Sequence, residues 1–111
     1  MTILDLSGMR AYLDGDKEEE REIIQVFVSK AQKDLEAIKA SSDGVSLEAW
    51  QESCHSLKGS AALLGAFILR DLCHEGETMG GCDVTAQQAV FSRIAEAYDA
   101  VLAALNDEGL L

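Results

Sequence analysis

The sequence predicts an all-α fold: one domain of 111 residues, built as an up-and-down antiparallel four-helix bundle with a short N-terminal capping helix. Three observations point there. Proline is absent, which removes the commonest helix breaker. Just under half of the residues are apolar, and through most of the chain they recur every three or four positions, the period of one helix face. Nowhere do apolar and polar residues alternate as a strand requires, and no repeat or low-complexity segment interrupts the pattern.

Asp5 is placed to cap a short first helix over about 5–13, with Leu6, Met9 and Leu13 as its apolar edge. The Asp14-Gly15-Asp16 turn ends it. Asp16 with Glu19 has the form of a capping box, and the acidic turn Glu18, Glu19, Glu20 suits the positive end of a helix dipole. The second helix, over about 17–40, carries the stripe Ile23, Ile24, Phe27, Val28, Ala31, Leu35, Ile38, while the Glu18 to Glu22 charge run reads as a solvated face.

Ser46 caps a third helix over about 46–64, in which Leu47, Trp50, Cys54, Leu57, Ala61 and Leu64 step strictly by three and four. A fourth helix over about 66–80 carries Ile68, Leu69, Leu72, Cys73 and Met79 and ends at Gly80-Gly81. Gly76 falls where a large apolar residue is expected, at about 1 kcal/mol of helix propensity relative to alanine, so this helix should be the loosest. Thr85 with Gln88 forms a second capping box for a fifth helix over about 86–106, with Val90, Phe91, Ile94, Tyr98, Val101, Leu102 and Leu105 as its stripe.

Twenty acidic against nine basic residues give a net charge of −11, which repels phosphate backbones and anionic lipid. Nucleic acid and membrane surfaces are therefore not expected partners. Three cysteines without framework spacing, and an N-terminus with neither a basic region nor an apolar run, point to a reducing, cytoplasmic setting.

Two histidines exist, and helix geometry separates one of them from the core. At about 100° per residue, His55 lies roughly 130° from the centre of the Leu47 to Leu64 stripe and should face water. Gly59 follows one turn later on the same face, with Ala62 beside it, Gln51 one turn before and Lys58 three residues on. A mid-helix glycine costs about 1 kcal/mol against alanine. Here it clears space for a partner to approach the imidazole. A neutral imidazole is a nitrogen nucleophile, histidine being half-protonated near pH 6.5, and an adjacent ammonium offsets the charge of an attached phosphoryl group. Lys58 fits that role, although alone it would read as an ordinary surface lysine.

The run His55-Ser56-Leu57-Lys58-Gly59-Ser60, followed by Leu64-Gly65, resembles the signature of histidine-containing phosphotransfer (HPt) domains. The opening Leu-Asp, the Gly-Asp-x-Glu turn at 15–18, and Leu72-Cys73 with Glu77 match that family's layout in order and approximate spacing. The resemblance implies a phosphorelay intermediate in which His55 is the phosphoacceptor, Lys58 the stabilising cation, and Gly59, Gln51 and Ala62 the clearance and docking surface. It implies response-regulator receiver domains and a hybrid histidine kinase as partners, magnesium held by the receiver rather than by this chain, and a monomer. No nucleotide loop of the GxxxxGK type and no acidic pair for magnesium surrounds His55, so a phosphocarrier without ATP-dependent activity is expected.

Four other readings stand beside it. Cys54-His55 and Cys73-His74 suggest a metal site, but adjacent helical residues diverge by about 100° and cannot chelate together. The same geometry opposes a Cys-His nucleophile. A helical adaptor that carries no phosphate would show the same stripes without needing His55. The phosphoacceptor domain of a chemotaxis-type kinase carries a similar motif; with nothing kinase-like after Leu111, the free-standing form is expected.

Overall fold

The computed structural model describes residues 2–81 and 83–111; Met1 and Cys82, the third cysteine, lie outside the described residues. Among the described residues the chain forms five α-helices and no strand: α1 Ser7–Leu13, α2 Lys17–Ser41, α3 Leu47–Leu64, α4 Phe67–Glu77 and α5 Val84–Asp107. From α2 onward each helix packs against the next, α5 returns to α2, and α1 leans on α2 and α3. One apolar core runs through all of them, with Ile24, Ile38, Trp50, Leu57, Leu69, Ile94 and Leu105 wholly buried. No described helix is long and apolar enough to cross a membrane.

The caps explain where the helices begin and end. Asp16 accepts from the backbone N–H groups of Glu18 and Glu19, which supplies the forward half of the expected box. The reverse half is missing, because the Asp16 N–H is already donated to the Leu13 carbonyl at 3.0 Å. Ser46 caps α3 through the Ala49 N–H. Asp5 accepts from Ser7 N–H at 3.0 Å, one position outside the helix it was expected to start.

At its other end α3 closes on Gly65 in a Schellman arrangement, with Ala66 N–H reaching the Ala61 carbonyl at 2.9 Å. Gly65 has φ +91°, and a Cβ there would sit 1.8 Å from the Asp5 carbonyl oxygen, so the N-terminal segment crosses directly over it.

Four expectations are corrected. Helix α4 ends at Glu77, not at Gly80-Gly81: the Thr78 hydroxyl competes for the His74 carbonyl, and the Met79 N–H turns three residues back to the Gly76 carbonyl at 3.3 Å instead of four. The cap of α5 is Asp83, which accepts from Ala86 N–H at 3.2 Å, so the Thr85 and Gln88 box does not form. Ile23 is exposed rather than part of the core stripe. Glu20 is not solvated: it falls on the buried stripe of α2, four residues before Ile24, and is 1% exposed. Arg10 of α1 covers it at 3.1 Å and also reaches Glu108.

Gly76 is corrected too, and in sign. A Cβ there would lie 2.9 Å from Cys54 Sγ and 3.3 Å from the Trp50 ring. The Trp50 indole fills the place of a large side chain and donates to the Gly76 carbonyl at 2.7 Å. The glycine therefore marks the close approach of α4 to α3, not a loose helix.

Candidate functional site

That close approach sets the site. Cys54 and Gly76 meet in the core, and the residues that follow them, His55 and Glu77, meet at the surface. The His55 side chain is 68% exposed, and its Nδ1 is 2.7 Å from Glu77 Oε1. Lys58 pairs closely with the other oxygen, Oε2, of the same carboxylate. The Lys58 hydrogen bond above all holds the Glu77 carboxyl below its usual range; burial opposes it, and the His55 hydrogen bond adds to the lowering.

A carboxylate at Nδ1 fixes the tautomer. With Glu77 ionised, Nδ1 carries the proton and donates it, and Nε2 keeps the lone pair. Among the described hydrogen bonds none uses Nε2. Chemically, such an arrangement can serve as an oriented nitrogen nucleophile, with a fixed negative charge placed to stabilise the cation that attack by the nitrogen would form.

The surroundings of His55 divide into two flanks. Toward α4 lies a groove of about 400 Å³ lined by Lys58, Gly59, Ala62, Arg70, Asp71 and His74. Toward α2, Lys30 Nζ lies 2.8 Å from Asp34, 2.9 Å from Ser56 Oγ and 2.9 Å from Ser60 Oγ, and Ser56 donates to Asp34. Beside that polar cluster an apolar hollow of about 200 Å³ is lined by Ile23, Val26, Phe27 and Leu63 among others. Val26 and Leu63 are 70% and 85% exposed.

Each residue singled out in the sequence has a definite place. His55, Gly59 and Ala62 are exposed along one face of α3, while Gln51 and Lys58 are half-buried on the same side. Among the described residues nothing lies within 4 Å of a Cβ built on Gly59, so that face is open. Glu77 was legible only as part of a family layout, not as a group touching His55. It lies twenty-two residues away on another helix, and no local spacing signals the contact. Cys54 and Cys73 are buried and His55 and His74 exposed, so the twin Cys-His pairs diverge. Burial raises both thiols to about 12, which removes them as nucleophiles at neutral pH. Among the described residues no three His, Cys, Asp or Glu side chains converge as a metal site needs.

No curated protein and no solved structure matches the chain. A family model does: that of the Hpt domain aligns with residues 22–105, a span that holds α3, α4, the exposed imidazole and its carboxylate. The chain belongs to the Hpt domain family of histidine phosphotransfer modules.

Proposed function

We propose that the chain is a phosphorelay intermediate in which His55 accepts a phosphoryl group from a receiver-domain aspartate and passes it to the aspartate of another response regulator. One observation carries this: an exposed imidazole whose Nδ1 is bound to Glu77 at 2.7 Å, which leaves Nε2 as the nucleophile. Nε2 attacks the phosphorus in line, the bond to the aspartyl oxygen breaks, and the aspartate leaves as a carboxylate. Throughout, the Nδ1 proton stays on the ring and Glu77 stabilises the imidazolium. Lys58 supplies a positive charge one turn away, and the receiver contributes the magnesium.

The four long helices form an up-and-down antiparallel bundle that presents His55 on its side, a reading supported by the order in which they pack and by the short connections between them. Gly59, Ala62 and Gln51 leave room for the receiver, and the apolar hollow around Val26 and Leu63 receives its apolar surface. A hybrid histidine kinase stands upstream, and the carrier works as a cytoplasmic monomer without ATP-dependent activity of its own.

Incubation with a phosphorylated receiver tests the proposal. Acid-labile, base-stable phosphate should appear on His55 of the wild-type chain and be absent from H55Q. A wild-type chain that stays unlabelled, or label that persists in the variant, refutes it.

A further inference from the structure

We propose that Arg70 reads the partner: its guanidinium receives a carboxylate side chain of the receiver domain docked over His55, and so helps select which receivers exchange phosphate with this chain. The inference rests on the phosphotransfer function above.

The four arginines of the chain make the case by contrast. Arg10 joins α1 to Glu20 of α2 and to Glu108 beyond α5. Arg21 of α2 reaches the Gly109 carbonyl, and Arg93 of α5 grips both oxygens of Glu75 on α4. Each of these ties separate parts of the fold together. Arg70 ties nothing. Its contacts stay within α4: the guanidinium lies 4.6 Å over the Phe67 ring, and Nε and Nη2 each reach Asp71 Oδ1 at 2.9 Å. Stacking and the local pair hold the guanidinium at the surface, and none of the described hydrogen bonds uses Nη1. An arginine held in one orientation with donors to spare is suited to bidentate recognition of a carboxylate.

Its position gives those donors a target. Arg70 lines the groove that Gly59 and Ala62 leave without bulky side chains, across from Lys58 and beside His74. The charges facing it are Lys58 with its partner Glu77, and Asp71 on its own helix. Within the groove cations and carboxylates cancel, whereas the molecule as a whole carries −11. An acidic side chain approaching His55 therefore meets little net repulsion in the groove and finds unused guanidinium donors there.

The test compares wild type with R70A, R70K and D71N, using two phosphodonors. Phosphoramidate labels the imidazole without a docked protein; the other donor is a phosphorylated receiver domain that labels the wild-type chain. R70A should lower transfer from the receiver about tenfold at subsaturating concentration, with the rate recovering at saturation, while labelling by phosphoramidate proceeds normally. R70K should retain part of the effect, since it keeps the charge and loses the fork. D71N should speed receiver transfer by about twofold, because it removes the carboxylate competing for the guanidinium while the Phe67 stack keeps that group in place. Wild-type receiver transfer in R70A overturns the inference. So does equal slowing with both donors, which would place Arg70 on the phosphoryl group. A wild-type chain unlabelled by either donor instead overturns the phosphotransfer function itself.

Discussion

On the α4 flank of His55 one carboxylate, Glu77, binds the imidazole directly; on the α2 flank Lys30 and Asp34 reach only Ser56 and Ser60, the neighbours of the histidine in sequence and one turn on. Both flanks are polar and both are held by a lysine and a carboxylate. They differ in what they can influence. A charge bonded to the reacting ring changes its tautomer and the energy of its cation, whereas a charge bonded to the supporting helix changes only where that helix sits. The chemistry of the site should therefore depend on α4 and its attachment on α2.

Removing what both flanks serve gives the largest effect. H55Q should abolish phosphate uptake while leaving circular dichroism, melting and receiver binding nearly unchanged, since an exposed side chain adds little to packing; H74Q should still take up phosphate at close to the normal rate. E77Q comes next, with a single-turnover transfer rate lower by about tenfold or more and, at neutral pH, a melting temperature only slightly below wild type. A wild-type rate in E77Q would erase the distinction between the flanks.

G59Q sharpens the comparison from between them. Open space surrounds that position, so the substitution should raise helix stability by up to about 1 kcal/mol in a melting experiment. Transfer from a receiver should nevertheless slow several-fold, because the new side chain obstructs docking. Equal transfer in both proteins would refute the role of the glycine in clearance. K30A on the α2 flank should change transfer by less than about twofold and lower stability by at most about 0.5 kcal/mol, the lysine being half-exposed and its pairs screened by water.

The smallest effect is a pH slope. Because Lys58 holds the folded Glu77 carboxyl below the ordinary range of a glutamate, its contribution to stability is fully present above that range. It is lost as pH falls through the lowered folded value. Wild type should thus show an extra acid-side decline in unfolding free energy that E77Q lacks. Parallel curves for the two proteins would show that the carboxylate is not held by its partners.

Much of this was legible locally. The stripes of α2 and α3, the Asp16 and Ser46 caps and the outward angle of His55 all follow from residues within a turn or two of one another. What escaped the sequence depended on distant partners. Glu20 sits on an apolar stripe and looked solvated because Arg10, which covers it, belongs to another helix. The Thr85 and Gln88 box is the exception, lost to a local competitor: Asp83, two residues earlier, captured the helix start first. The Glu77 contact and the fit of Gly76 against Trp50 are one event, the approach of α4 to α3, and neither residue signals it alone.

That fit also equips the protein with its own optical probe. Trp50 is the sole tryptophan, wholly buried, with its indole N–H bound to the Gly76 carbonyl one residue before the carboxylate that grips His55. Its fluorescence originates at the junction where α3 and α4 must stay together for the imidazole to remain oriented. Emission should be blue-shifted in the native protein and move to the red when that junction opens, without any label being introduced. Unfolding of the scaffold and loosening of the site can thus be followed by the same chromophore, while any phosphate uptake is measured separately.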